Sequence, residues 1–275
     1  DLIDYTPEIR QKAYEYAKQN NLFVPIFNPP VVAGRPDSKW PGAGYSCPGG
    51  GGGGNIYSPG VADPVQGVYY IASSSGCSEY SLMPGKDSPL DTATPPTGRT
   101  HSEWSRAVGA AASRDDNLIR PDRAQIDGLS IWRGPVGRIT AIDMNTGEHL
   151  WVIPNGEAPQ KEQDAIRNHP LLKGVPNVPA NRGRAGWSVM TVTPTLLLAT
   201  GVTSDNKWNL FALDKKTGER LGAVEIPGPT MYGLSSWMHE GRQYVIVQLN
   251  DGLAALALPA AKPTTAQRDD RERER

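Results

Sequence analysis

Residues 137–151, GRITAIDMNTGEHLW, and residues 209–222, NLFALDKKTGERLG, carry the same pattern. Both contain A-x-D-x-x-T-G-E-x-L, in which an alternating apolar stretch ends at the aspartate. An aspartate at a strand end accepts hydrogen bonds from the amides of the following turn, and glycine takes the positive φ that the reversal requires. Each copy therefore predicts a hairpin. The turn residues are Asp143, Thr146 and Gly147 in the first copy and Asp214, Thr217 and Gly218 in the second.

The rest of the chain favours an all-β fold. Short runs rich in Val, Ile, Thr and aromatic residues are typical of strands, and they lie at residues 68–73, 149–154, 187–200 and 242–249. The 30 glycines and 25 prolines are more than a helical bundle tolerates. Because a strand–turn–strand unit recurs, we predict a partial β-propeller of several four-stranded antiparallel blades, with a short N-terminal helix and long loop insertions. The alternative is a chance match between two common hairpins.

The N-terminal helix is predicted from residues 6–20, TPEIRQKAYEYAKQN. Thr6 is a residue type that caps helices. Ile9, Ala13 and Ala17 fall on one face at helical spacing, which is the pattern of a helix that packs against a core.

Composition shifts suggest three segments. We place the helix and a proline-rich connector at 1–45, the propeller blades at 46–260 and a disordered charged tail at 261–275. Two polar stretches, 78–130 and 155–186, exceed ordinary hairpin loops. They are expected to be lids over a site or floppy insertions.

Charge and cysteine content exclude some classes of function. With 28 Lys+Arg against 29 Asp+Glu, the formal charge of −1 offers no field that would attract nucleic acid. No apolar stretch approaches the length of about 20 residues that a transmembrane helix needs. Cys47 and Cys77 are either two unrelated buried residues or a disulfide that closes the loop between them, and a disulfide requires an oxidising compartment.

Six consecutive glycines, Gly49 to Gly54, precede Asn55. Such a run can cradle a phosphate, serve as a slack linker or let bare main chain lie close to a bulky group. The phosphate cradle is disfavoured, because no Lys-Ser/Thr follows the glycines and the next residues are strand-like. The linker remains open at this point.

Trp151 extends the first copy to A-x-D-x-x-T-G-x-x-x-W, which resembles the tryptophan-docking motif of the quinoprotein alcohol and glucose dehydrogenases. In that family the tryptophan stacks between adjacent blades of an eight-bladed propeller, which holds pyrroloquinoline quinone (PQQ) at the centre of one face. The second copy has Gly222 at this position, so one docking contact is expected to be lost. Residues 1–30, 48–73 and 241–259 resemble further family segments in the same order.

The resemblance implies a role for the glycine run, which would bring bare backbone close beneath the flat quinone. It also implies that the Asn55 side chain reaches the cofactor and that two later positions lie near it. The implied cofactor-binding residues are Gly53, Gly54, Asn55, Trp187 and Asn250.

The resemblance further implies a PQQ-dependent dehydrogenase that oxidises an alcohol, sugar or polyol, with calcium polarising the quinone. The family's catalytic carboxylate and calcium ligands lie upstream of the segment matched by residues 1–30, so we expect no catalytic base or metal ligand in this chain. The chain would then be part of a longer propeller, needing the N-terminal half as a partner. A quinone or cytochrome electron acceptor and a periplasmic location are implied by the family.

Two alternatives come from other classes. One is a non-catalytic propeller scaffold for protein–protein interaction, and the other is the remnant of a split gene. The glycine run with Asn55 favours the enzyme, whereas Gly222 in place of tryptophan favours the remnant. Arg182 and Arg184, which precede a strand, are further candidates to reach a central site.

Overall fold

The computed structural model describes residues 2–20, 22–23, 44–46, 53–54, 60–75, 78–84, 104–107, 124–186 and 188–257. Within these ranges the chain is mostly antiparallel sheet with two short α-helices. This confirms the predicted all-β class. Neither helix is both long and apolar enough to cross a membrane.

The strands are numbered in chain order. Their bounds are β1 Gly44–Ser46, β2 Gly53–Gly54, β3 Val61–Asp63, β4 Val68–Ser74, β5 Ser78–Pro84, β6 Trp104–Ala107, β7 Gln125–Ile126, β8 Leu129–Ser130, β9 Gly137–Asp143, β10 His149–Pro154, β11 Met190–Val192, β12 Leu196–Val202, β13 Trp208–Asp214, β14 Arg220–Glu225, β15 Thr230–His239, β16 Arg242–Leu249 and β17 Leu253–Ala257.

Three sheets form successive blades. The first blade has the order β10-β9-β4, and both β2 and β3 pair with the remaining edge of β4. The second blade has the order β11-β12-β13-β14, and the third has the order β15-β16-β17. A smaller sheet, β1-β5-β6, and the β7-β8 hairpin complete the described strands.

The blades pack face to face through two apolar clusters. Tyr70, Ile139, Leu197 and Phe211 are among the buried residues between the first and second blades. The second cluster joins the second blade to the third and includes Val247, which is fully buried. Since β3 also contacts β11 and β11 contacts β15, these strands are the inner strands of the three blades.

The inner edge of the first blade is formed by two short strands. Gly54 of β2 pairs with Ser73, and Val61 of β3 pairs with Tyr70. Both β2 and β3 therefore lie along the same edge of β4.

The predicted N-terminal helix is confirmed as α1, Pro7–Gln19. The Thr6 hydroxyl accepts a hydrogen bond from the Ile9 amide at 3.1 Å. Ile9, Ala13 and Ala17 are buried, as their spacing predicted.

Residues 155–186, expected to be either a lid over a site or a floppy insertion, are not a floppy insertion. They contain α2, Gln160–Arg167, and a 3₁₀ turn at Pro170–Leu172. Leu172 is buried with Ile9, Ala17 and Ile131 in an apolar cluster of its own. This stretch is ordered because it supplies the partner surface for the apolar face of α1.

Candidate functional site

The first two blades have two distinct ends. Asp63, Asp143 and Asp214 each begin a turn at one end, which we call the turn end. Gly53 and Gly54 pair with Ser74 and Ser73 at the other end, which we call the glycine end. In the first blade β4 and β9 span the two ends, because Val68 pairs with Asp143 and Ser74 pairs with Gly137.

The two repeated hairpins have the same turn geometry. The Asp143 Oδ1 accepts hydrogen bonds from the Asn145 and Thr146 amides, and the Asp214 Oδ1 accepts them from the Lys216 and Thr217 amides. The following glycines have φ of 77° and 74°, and their amides donate to the carbonyl of the turn aspartate. These aspartates hold main chain in place and face no reacting group.

A third turn of this kind was missed from the sequence. Asp63 accepts hydrogen bonds from the Val65 and Gln66 amides, and Gly67 follows with φ of 66°. Gln66 stands where the repeated pattern has threonine, so residues 63–67 did not match that pattern in the sequence. The signal that remains is the D-x-x-x-G spacing at the end of an apolar run.

Trp151 docks the first blade onto the second. Its Nε1 donates to the Lys215 carbonyl oxygen at 3.0 Å, and its ring lies 5.7 Å from that of the buried Tyr70. A Cβ added to Gly218 would lie 3.0 Å from the Trp151 ring, so only glycine fits there without displacement. The turn of the second copy therefore contacts the tryptophan that follows the first copy.

A buried ion pair lies beside this docking contact. The Lys215 Nζ donates to the Asp63 Oδ2, and both side chains are only 5% exposed. The hydrogen bond from Lys215 and those from the turn amides lower the pKa of the Asp63 carboxyl, against the opposing effect of its desolvation. The pair therefore joins the inner strand of the first blade to the turn end of the second.

The second and third blades meet with Gly222 at the position that corresponds to Trp151, while Trp208 packs against the apolar cluster between them. Gly222 has open space where a Cβ would point. Near the glycine end, the Thr200 and Thr230 hydroxyls lie 2.8 Å apart, and both residues are buried. Ser188 donates to the Thr200 carbonyl at 2.7 Å, so buried hydroxyls link β12 of the second blade to the inner strand of the third blade.

The residues implied in cofactor binding fall into two groups. Gly53 and Gly54 form β2 at the glycine end. Asn250 directly follows β16, is exposed and donates its amide to the Pro229 carbonyl at 3.0 Å. Asn55 and Trp187 lie outside the described residues, as do Cys47 and Cys77, for which a disulfide and two unrelated buried residues were the alternatives.

The neighbours of position 187 are held by polar contacts. The Asn155 amide nitrogen donates to the Gly186 carbonyl at 3.3 Å, and Ser188 is completely buried. Thr230, which bonds Thr200, pairs with Leu249, the residue before Asn250. Gly186, residues 188–190 and the start of β15 therefore lie at one end of neighbouring blades.

Arg182 and Arg184 have local structural partners. Arg182 donates to the Trp132 carbonyl at 2.6 Å. Arg184 donates to the carbonyls of Glu157 and Thr203. The guanidinium groups tie loops together, and the hypothesis that they reach a central site gains no support.

The described residues contain no group of three or more His, Cys, Asp or Glu side chains arranged to hold a metal ion. His169 is used locally, because its Nδ1 accepts from the Leu171 amide and its Nε2 lies 2.9 Å from the Asp127 carbonyl. Within these ranges the glycine end offers bare backbone and hydroxyl groups.

Comparison with known proteins identifies the relatives. The family model described as "PQQ: Glucose/ethanol/alcohol dehydrogenase, beta-propeller domain" matches residues 1–245. The glycerol dehydrogenase large subunit of Gluconobacter thailandicus is 30% identical over 156 residues, covering 52% of this chain and 20% of the relative. That of Gluconobacter oxydans (strain 621H) is 29% identical over 157 residues, covering 53% and 20%.

Solved structures with a similar chain path include two quinohemoprotein alcohol dehydrogenases. The enzyme from Comamonas testosteroni has a TM-score of 0.40 and 16% identity, over 72% of this chain and 22% of that one. An enzyme from Pseudomonas putida HK5 has a TM-score of 0.36 and 14% identity, with the same coverages. The chain spans about a fifth of the length of the curated relatives it matches. On the family match over most of its length, the chain belongs to the PQQ-dependent glucose, ethanol and alcohol dehydrogenase family and comprises part of its β-propeller domain.

Proposed function

We propose that this chain is part of a PQQ-dependent dehydrogenase that oxidises an alcohol, sugar or polyol. The observation that carries the proposal is the family match over residues 1–245, which includes the glycine run. The curated relatives are named as glycerol dehydrogenase subunits, which supports a substrate with a hydroxyl-bearing carbon.

The glycine end is the proposed cofactor face. Gly53 and Gly54, Asn55, Trp187 and Asn250 would hold PQQ, which supplies an acceptor for a hydride from the substrate carbon when bound. Support comes from the described strands, because β2 presents main chain without side chains on the inner edge of its blade. A flat ring system requires such a surface on at least one side. Trp187 and Asn250 follow from the resemblance and from their proximity in sequence to glycine-end residues.

We propose that the general base and the calcium ligands lie outside this chain. Calcium is a hard cation that prefers six to eight oxygen ligands. The described residues offer no carboxylate cluster of that kind. The chain would then position the cofactor, and a general base in another part of the propeller would remove the substrate proton.

The partner we propose is the remainder of the propeller. Trp237 and Leu253, on the face of the third blade away from the second, are 39% and 70% exposed. Met144 occupies the turn position of Lys215 in the first blade and is also exposed. Apolar residues on both outer flanks are what blades without neighbours would display. A quinone or cytochrome acceptor and a periplasmic location complete the proposal.

The experiment is a titration of the purified chain with PQQ and Ca²⁺, followed by the absorbance of the quinone and by dye reduction with glycerol. We expect a saturable absorbance change and little turnover, since the base is elsewhere. Adding the upstream propeller half should restore turnover. Absence of any absorbance change would overturn the cofactor proposal and favour a scaffold or a remnant.

A further inference from the structure

The buried ion pair between Asp63 and Lys215 has a feature that a stabilising contact does not need. It joins the last residue of β3 to the turn between β13 and β14, and so connects the inner edge of one blade to its neighbour. Each side chain is 5% exposed, and therefore both charges are almost completely removed from water.

Asp63 uses both carboxylate oxygens. Its Oδ1 accepts hydrogen bonds from the amides of Val65 and Gln66, which fixes the turn between β3 and β4. Its Oδ2 accepts from Lys215. The same carboxylate thus sets the local turn and its position relative to the second blade.

Lys215 also uses two groups. Its carbonyl oxygen accepts from the Trp151 indole at 3.0 Å and from the Tyr70 hydroxyl at 3.3 Å. Its ammonium group reaches Asp63 on the inner edge. One residue of the second blade therefore holds an outer strand, a middle strand and the inner strand of the first.

The inner strand is the part of the first blade that most needs such an anchor. Its described parts, β2 and β3, are only 2 and 3 residues long, and among the described strands both pair with β4 alone. Short edge strands open readily because few hydrogen bonds hold them. A buried ion pair adds little net stability relative to apolar residues, but it selects one arrangement because a displaced charge is left unpaired.

We propose that Asp63 and Lys215 are a positioning pair, which fixes β3 along the inner edge of the first blade and thereby the glycine end, where β2 pairs with the same edge of β4. This inference rests on the proposed function only where it makes the glycine end the cofactor face. The arrangement of the strand itself is a property of the chain alone.

The chain offers matched controls. Asp143 forms the same turn with the same pair of amides, and no salt bridge to it is found within the described ranges. Asp143→Asn therefore repeats the change of Asp63→Asn without a buried partner. Lys216, the neighbour of Lys215, is exposed, so Lys216→Met controls for Lys215→Met.

The test is hydrogen exchange by mass spectrometry on the whole chain. Asp63→Asn and Lys215→Met should each increase exchange of residues 60–75 at least about tenfold relative to β12 and β13, with no such change in the two control variants. Equal exchange in all four variants and the wild type would overturn the proposal.

A double variant distinguishes the effect of the ion pair on strand position from its effect on overall stability. Asp63→Asn combined with Lys215→Met leaves no buried charge unpaired, so the melting temperature should recover relative to Lys215→Met alone. The raised exchange of residues 60–75 should persist, because nothing specific anchors the inner strand. Recovery of both properties would reduce the pair to a structural contact and contradict the proposal. This double variant also covers the case in which a single variant does not fold.

PQQ binding gives a separate readout. If the wild type binds PQQ, the double variant should bind it at least about tenfold more weakly at a temperature at which both proteins are folded. Unchanged affinity would contradict positioning of the cofactor face. If the wild type does not respond to PQQ, the proposed function fails while the exchange result still decides the role of the pair.

Discussion

Lys215 and Lys216 are adjacent in one turn, yet one is buried against Asp63 and the other faces solvent. Sequence alone did not distinguish them, because both suit a polar turn. The difference arises from the neighbouring blade, whose inner turn lies beside the position of Lys215. Met144 stands at this position in the first copy and is exposed, as expected of a flank without a described neighbour.

Trp151 and the turn it contacts were anticipated from the repeat, but the hydrogen-bond acceptor was not. Trp151→Phe keeps an aromatic ring and removes the donor to the Lys215 carbonyl. We expect the free energy of unfolding to fall by about 1–2 kcal/mol, measured by denaturant titration. Trp237→Phe is the control, because that ring is partly exposed on the outer flank; an equal loss in both variants would argue against a specific docking role.

Gly147 and Gly218 have nearly equal φ angles. Alanine substitutions at the two positions therefore distinguish the cost of tight packing from the cost of backbone strain. Gly147 has φ of 77° with nothing within 4 Å of an added Cβ, whereas at Gly218, with φ of 74°, that Cβ would lie about 3 Å from Trp151. Both alanine variants strain the backbone. Gly218→Ala should cost about 1–3 kcal/mol more than Gly147→Ala. Thermal melting compares them, and equal losses would contradict tight docking.

At the scale of elements, periodicity and capping predicted α1 and the hairpins because these depend on residues close in sequence. The fold of residues 155–186 was not predicted, since its order comes from packing on α1 rather than from local preference. The pairing of Gly53 and Gly54 with β4 was also not predicted. Glycines permit many backbone paths, and the pairing with β4 selects one of them.

The link between the first two blades should depend on pH. Lys215 lowers the folded-state pKa of Asp63, so this interaction stabilises the fold above the unfolded-state pKa of about 3.9 and is lost as the pH falls towards the folded-state value. Tyr70, which also faces the pair, has a raised pKa and does not titrate in this range.

Urea titrations at intervals between about pH 3 and pH 7 would measure this dependence. The difference in unfolding free energy between the wild type and Asp63→Asn should be largest at neutral pH and should shrink below about pH 4. Asp143→Asn provides the baseline for loss of a turn carboxylate. A difference that stays constant over the whole range would rule out the coupling.

At the scale of the whole molecule, apolar residues exposed on the outer faces of the first and third blades are the reason to expect a partner. Leu253, 70% exposed, lies on the open face of the third blade. Leu253→Lys should reduce concentration-dependent association in sedimentation velocity without lowering the melting temperature. Val65→Lys, at a 93% exposed position in a turn, is the control and should leave association unchanged. Equal effects would show that the flank has no special role.

The sequence predicts a candidate cofactor face only as a set of residue types, such as the glycine run. The end of the blade at which each described residue lies follows from strand register, which depends on contacts between distant segments. The buried hydroxyls of Ser188, Thr200 and Thr230 illustrate this. In the sequence each is an ordinary strand or loop residue, and their contacts arise only when the second and third blades pack together.

Hydrogen exchange of the chain with and without saturating PQQ and Ca²⁺ tests the central claim, that the cofactor is bound at the glycine end. Exchange should slow at residues 73–74, at residues 188–190 and around Thr230 and Leu249, and it should be unchanged in the turn of residues 143–147. Slower exchange confined to the turn end, or no change in any segment at saturating PQQ, would contradict it.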